Sequence, residues 1–414
     1  MKNFILLSCL TVFVACTDFS SEVMDITHTK TIPIEEALSS LKDFLYISEI
    51  KTKSVIDKIS GYEVMVIGAD ELSINTKSNQ VITLPDTLLY AVNFTDGGFA
   101  LLSANTDLNE SIICVTENGS LSREDFISAN SFLMYSEQSV PLINNTESDE
   151  LEDVVCQDAG KNYLYSLLTS AAIIDYYDSI NISYDYEGPK TKASTSTKVG
   201  PLLQTKWTQD EPFDLYKDPP GCAVIATAQI MAYNEKPLSY DFKTVSVSWA
   251  TLRTVYPSSD INSLGYPGTE YQVAHLAQEL GNSSNCDVNS TGGTTIEKVK
   301  DTFEKYGYDV TKKIGCANAD IKKIANKIVD DRKPVYMRGQ MKDIVTGDQK
   351  GHAWVIDGVD GDMFHINWGW HGDCDGYYNK GVFNTADLMS YDSMDPGTSQ
   401  LSADFYHYFR YLLY

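Results

Sequence analysis

The sequence predicts an α+β protein in which a helix and a hairpin come first and a helical segment followed by antiparallel strands comes later. Three stretches carry this prediction. Leu88–Phe94 and Phe99–Ser103 are apolar, β-rich runs joined through Asp96-Gly97-Gly98, the pattern of a hairpin with a glycine turn. Cys222–Tyr233 is small or apolar on every side behind Asp218-Pro219-Pro220-Gly221, the composition of a helix enclosed by protein. Pro334–Met337, Ala353–Ile356 and Met363–Asn367 are short apolar strands in the last third of the chain.

The 414 residues exceed one ordinary domain, and 43% hydrophobic content is enough for real cores; about two to three domains follow from typical domain size. With 32 basic against 57 acidic residues the formal charge is -25, which argues against a nucleic-acid or anionic-membrane surface. Residues 1–16 read as an export signal: Met1-Lys2-Asn3 is a basic start, and Phe4–Ala15 is an apolar run too short to span a bilayer comfortably. Its end, Phe13-Val14-Ala15-Cys16, resembles a bacterial lipoprotein box, which makes Cys16 the expected lipid acceptor. Any membrane attachment is then by a lipid anchor. Apart from Cys9, Cys16 and Cys222, the cysteines (Cys114, Cys156, Cys286, Cys316, Cys374) are odd in number and widely spaced, so no complete disulfide framework is indicated and pairing stays open.

In chain order, Pro33–Leu45 places Ile34, Ala37, Leu38, Leu41 and Leu45 on one helical face. The hairpin follows, then a strand at Ile112–Thr116 ahead of Asn118-Gly119. Tyr163–Tyr177 has further helical patterning through Leu164, Leu167, Leu168, Ala171, Ala172 and Ile174. Residues 17–187 contain no clustered catalytic residue types and read as a small α+β binding or inhibitory module with a helical extension. Residues 188–198 are basic, small and hydroxylic, a linker and an accessible place to cut. In residues 199–414 a helix pair, Val273–Gly281 and Ile296–Phe303, precedes the late strands, and Phe405–Phe409 is aromatic and strand-like. Helices first and sheet afterwards imply a cleft between two halves.

Two prolines and Gly221 stop any preceding helix, so the enclosed helix starts at or next to Cys222. A thiol there lies near unpaired backbone N–H groups and the positive dipole end, which favour thiolate. The competing reading is a buried small residue. A nucleophilic thiolate needs a base, and His352 in Gly351-His352-Ala353-Trp354-Val355-Ile356-Asp357-Gly358 is the candidate.

These two blocks, with Ala226–Met231 and Asn367-Trp368-Gly369-Trp370, resemble the active-site blocks of the streptopain family of papain-like cysteine peptidases. That resemblance implies a papain-like, two-lobed peptidase domain over 199–414, with a helical half and an antiparallel β half. It implies Cys222 as nucleophile, His352 as acid/base, Gln209 rather than Gln204 as oxyanion donor, Asn367 as the group holding the histidine, and Trp368 as a shield, with Trp370 part of the same wall. Asp357, the carboxylate inside the histidine block, is the other candidate for orienting it. The helix and hairpin of residues 17–187 are similar to the streptopain propeptide, implying an intramolecular inhibitory prodomain. Extended polypeptides would be the substrates, and no cofactor is implied. His371, Cys374 and His365 have compact spacing but lack the second close ligand pair of a structural metal site, and His275 reads as a packing histidine. His371 stands where the family pattern commonly continues with glycine, and the family's glycine-rich mobile loop is not reproduced near Met394–Thr398. The rival readings are a catalytically silent papain-fold binding protein and a protease-inhibitor protein with an accessory domain.

Overall fold

The computed structural model describes residues 31–47, 62–68, 87–104, 112–130, 161–169, 198–216, 219–237, 240–242, 245–255, 269–316, 318–342, 349–383 and 409–414. The export signal with Cys16, and the linker up to residue 197, lie outside them. Among the described residues no helix is long and apolar enough to cross a membrane.

Helix α1 (Ile34–Ile47) starts behind Pro33 with Glu35 and Glu36 in its first turn, where carboxylates complement the helix dipole. It buries the expected stripe of Ala37, Leu38, Leu41 and Leu45 against Tyr90, Val92, Ala100, Leu102 and Val115. Those residues come from one face of an antiparallel sheet. Its strands are β1 (Tyr62–Ile67), which was not anticipated, the expected hairpin β2 (Leu89–Phe94) and β3 (Phe99–Ser103), and β4 (Ile112–Thr116).

The opposite face of the same strands has no core of its own. Leu89, Ala91, Phe99, Leu101, Ile113 and Cys114 share one apolar cluster with Trp354, Trp368 and Trp370 of the C-terminal sheet. A short helix, α2 (Arg123–Asn130), follows β4 with the Ser122 hydroxyl accepting from the Asp125 N–H at 3.1 Å. Helix α3 (161–169) is the described part of the pattern expected at Tyr163–Tyr177. Tyr163, Leu164, Tyr165, Leu167 and Leu168 are all buried, in that same cluster.

Helix α4 (Cys222–Asn234) begins at the expected residue and is buried continuously from Cys222 to Ala232. Gly221 has φ of 88°, and a Cβ there would overlap the Gly292 carbonyl oxygen, so glycine alone fits this close approach. A small hairpin β5 (Tyr240–Phe242) and β6 (Val245–Val247) leads to α5 (Trp249–Leu252), α6 (Thr269–Gly281) and α7 (Ile296–Lys305). The last two are the predicted helix pair, and α6 packs on α4.

The remaining elements are β7 (Thr311–Ile314), α8 (Asn318–Asp331), β8 (Val335–Lys342), β9 (Gln349–Asp360), β10 (Met363–Asn367), β11 (Gly376–Asn379) and β12 (Arg410–Leu413). Of the strand-like stretch Phe405–Phe409, residues 405–408 lie outside the described residues, and Phe409 directly precedes β12. Strand β4 pairs with β11, Val115 opposite Tyr377 and Cys114 opposite Tyr378. One ten-stranded sheet results, ordered β1-β2-β3-β4-β11-β10-β9-β8-β12-β7. An edge strand presents unpaired backbone groups, and β4 satisfies its own by continuing the C-terminal sheet.

Gly376 lies at this seam, where an added Cβ would overlap the Val115 carbonyl oxygen. Gly376→Ala is expected to lower stability by about 1–3 kcal/mol and to speed amide exchange at Val115 and Tyr377 more than in α4. Exchange mass spectrometry with a denaturant melt measures both, and uniform exchange with unchanged stability would contradict the seam.

Candidate active site

Cys222 is the first residue of α4, 3% exposed, behind an N-cap glycine that offers no side-chain cap. None of the described cysteines is in a disulfide. Gln209 is buried at 7% exposure, and its amide Nε2 has no hydrogen-bond partner. Gln204, the neighbouring glutamine, is exposed.

His352 lies on β9 opposite Gly339 of β8. Its ring is stacked among three indoles, with centroids 4.6 Å from Trp370, 6.0 Å from Trp368 and 6.5 Å from Trp354. Nε2 lies 2.7 Å from the Trp368 carbonyl oxygen. A carbonyl only accepts, so Nε2 carries the hydrogen and Nδ1 keeps the lone pair. Burial pulls the imidazole down to about 4, with the Trp368 carbonyl only partly opposing, and the ring is neutral at pH 7. Nδ1 has no hydrogen-bond partner, so His352 and Cys222 are not hydrogen-bonded in this structure. Following strand alternation, Ala353 and Val355 pack in the cluster of Cys222, whereas Trp354 and Ile356 pack in the other. His352 stacks on the Trp354 side.

The expectation that Asn367 holds His352 directly is corrected. Its Nδ2 donates to the Thr205 carbonyl at 3.0 Å, and its Oδ1 accepts from Gln229 Nε2 at 2.8 Å and from the Gly369 N–H at 3.1 Å. The imidazole is held by a backbone carbonyl one residue further on, which no side-chain pattern reveals. Asp357 is not the orienter either. It is the unopposed residue of a bulge between β9 and β10, and its carboxylate accepts from the Leu203 N–H at 2.9 Å and lies 2.6 Å from His365 Nδ1. Trp368 and Trp370 stack on each other at 5.5 Å beside the His352 ring.

Sequence reasoning missed a buried charged network beside the site. Lys206 Nζ lies 3.0 Å from Asp375 Oδ2 and 3.3 Å from Glu117 Oε2. Glu117 Oε1 lies 3.3 Å from His365 Nε2, and Asp375 Oδ1 accepts from the Trp368 N–H at 2.8 Å. The network joins the N-terminal segment, through Glu117, to the C-terminal sheet. A lysine, an aspartate and a glutamine (Gln229) among buried neighbours were the available signal, since such groups need partners. Burial alone would lower His365, but the charge and hydrogen bond of Asp357, with Glu117, raise it to about 9. His275 stacks on Tyr216 at 4.4 Å.

Residues 205–378 match the Peptidase C10 family. Streptopains of Streptococcus pyogenes are 24% identical over 333 residues, covering 72% of this chain and 75% of theirs. The protein carries a streptopain-like, papain-like cysteine peptidase domain. Among solved structures, a prointerpain A fragment from Prevotella intermedia covers 85% of this chain and 98% of its own, with 18% identity and a TM-score of 0.47. Active interpain A from the same organism covers 54% and 96%, with 22% identity and a TM-score of 0.36.

In the peptidase, His365 contributes stability that is fully present below its ordinary value of 6.5 and is lost as pH rises through about 9. Burial would raise Glu117, but the His365 hydrogen bond and the Lys206 charge outweigh it and hold the carboxyl down at about 2. Its contribution is present above the ordinary 4.5 and is lost as pH falls through about 2. Glu117→Gln is expected to lower the His365 titration midpoint, read by NMR. An unchanged midpoint would mean that the two groups do not face each other in solution.

Proposed function

We propose that the chain is the zymogen of an exported cysteine endopeptidase, with Cys222 as nucleophile and His352 as its acid/base. The observation that carries this reading is the thiol at the mouth of a fully enclosed helix, where terminal N–H groups and the dipole favour thiolate. His352 Nδ1 takes the thiol proton. The thiolate sulfur bonds to the peptide carbonyl carbon, His352 returns the proton to the departing amine as the C–N bond breaks, and water hydrolyses the thioester. Gln209 supplies an N–H to the oxyanion, and its partnerless buried amide supports this role: a buried donor without an acceptor costs about 1–3 kcal/mol, which an arriving oxyanion relieves. Trp368 shields the histidine and gives it a carbonyl.

The uncut chain is read as latent. The neutral, buried His352 is not bonded to the thiol, and α3 of the N-terminal segment packs close behind it: Tyr163 lies 6.1 Å from Trp354 and occupies the space over Gly339, the residue opposite His352. Residues 17–187 act as the intramolecular inhibitor, with α3 packed on Trp354 and Gly339 beside the histidine and the hairpin as its sheet-bound anchor. Cleavage within 188–198 releases activity, and with Cys16 lipidated the same cut frees the peptidase from its anchor.

Purified full-length protein is expected to be nearly inactive on unfolded polypeptides and to gain activity as N-terminal sequencing detects a start between residues 188 and 199. Cys222→Ala is expected to abolish hydrolysis and labelling by a thiol-directed epoxide. Gln209→Ala should lower kcat by about 10²–10³ with little change in KM, whereas Gln204→Ala should leave both unchanged. Full activity in the uncut chain defeats the zymogen reading, and activity retained by Cys222→Ala defeats the mechanism.

A further inference from the structure

The helix that carries Cys222 and the peptide that holds His352 are cross-linked by one side chain. Gln229 lies seven residues beyond Cys222 on α4, two turns along and on the same face, and is 1% exposed. Its Nε2 donates to Asn367 Oδ1 at 2.8 Å. Its Oε1 accepts from the Thr205 hydroxyl at 2.8 Å and from the Trp207 N–H at 3.4 Å. Asn367 Nδ2 returns to the Thr205 carbonyl at 3.0 Å, closing a ring of bonds.

The donors and acceptors in this ring permit one arrangement. The Gly369 N–H can only donate and the Thr205 carbonyl can only accept, so Asn367 must present Oδ1 to the first and Nδ2 to the second. Asn367 Oδ1 then needs a donor from Gln229, which turns Gln229 Oε1 toward the Thr205 hydroxyl and the Trp207 N–H. The Gly369 N–H belongs to the same planar peptide unit as the Trp368 carbonyl. That carbonyl is the partner of His352 Nε2 at 2.7 Å.

We propose that Gln229 is a positioning residue for the peptidase reaction: through Asn367 and the Trp368–Gly369 peptide it sets the orientation of His352 relative to the helix bearing Cys222. The proposal rests on the reading of Cys222 and His352 as nucleophile and acid/base. It gives Asn367 an indirect part, one peptide removed from the imidazole. It also ties in the segment that leads to Gln209, since Thr205 and Trp207 complete the ring. Gln229→Glu has the same shape but places a carboxylate oxygen against Asn367 Oδ1, which Gly369 already fixes as an acceptor.

The test uses the full-length chain after it has become active, comparing wild type, Cys222→Ala, Gln229→Glu and Asn367→Ala. Gln229→Glu is expected to lose about 10²-fold in kcat, as a misplacement of about 1 Å in a catalytic group does, with KM within about 3-fold. The pH profile is the readout that a merely structural role would not move. Among the described residues, His352 faces three indoles and the Trp368 carbonyl, and burial and that carbonyl act on its ring. The carbonyl favours the protonated ring, so weakening that bond should move the alkaline limb of kcat/KM to lower pH. Asn367→Ala, one bond further along, should show the same displacement and serves if Gln229→Glu fails to fold. An alkaline limb unmoved in whichever variant folds overturns the proposal, as does wild-type kcat in Gln229→Glu. Activity that survives in Cys222→Ala overturns the underlying reading and this inference with it, whereas Cys222-dependent activity with an unmoved limb sinks the inference alone.

Discussion

The hydrogen bond from His352 to the Trp368 carbonyl organises the surroundings of the histidine in the C-terminal sheet. An imidazole enclosed by three indoles has to place its N–H, because a buried donor left without an acceptor is costly. The surrounding structure is arranged to hold that one carbonyl still. Asp375 fixes the Trp368 N–H, Asn367 fixes the Gly369 N–H, and Gln229 fixes Asn367. Each of these groups is itself buried, so each requires the next, and the chain of requirements ends on the helix that carries the thiol.

A second constraint ties the N-terminal segment to the same place. Pairing of β4 with β11 makes one sheet of what would otherwise be two, and the cluster behind it includes Trp354, Trp368 and Trp370. Glu117, just past β4, completes the charge environment of both His365 and Lys206. Lys206 in turn pairs with Asp375, the residue on the Trp368 N–H. The N-terminal segment thus reaches the histidine's surroundings twice, through α3 from the core side and through Glu117 from the charged side.

The local elements were legible because their signals are short-range. The stripe of α1, the glycine turn between β2 and β3, and the proline–glycine stop before α4 are each settled by residues within a few positions of one another. The position of Cys222 at a helix start was legible for a related reason, since the proline–glycine stop before it is local, whereas Gln209 was singled out only through the family resemblance and its burial came from the structure. What Asn367 bonds to could not be read, because its partners Thr205 and Gln229 lie 162 and 138 residues away. The network of Glu117, Lys206, His365 and Asp375 is likewise long-range and has no spacing signature.

By itself, then, the sequence determined helices α1, α4, α6 and α7, the hairpin, the thiol at the mouth of an enclosed helix and the histidine block, since propensity, turn chemistry and apolar periodicity act along the chain. Only the tertiary structure decided that the N-terminal strands continue the C-terminal sheet, that a backbone carbonyl rather than Asn367 accepts from His352, and that His352 Nδ1 has no hydrogen-bond partner. Those outcomes follow from strand pairing and from the satisfaction of buried polar groups, which depend on what folding brings together across more than a hundred residues.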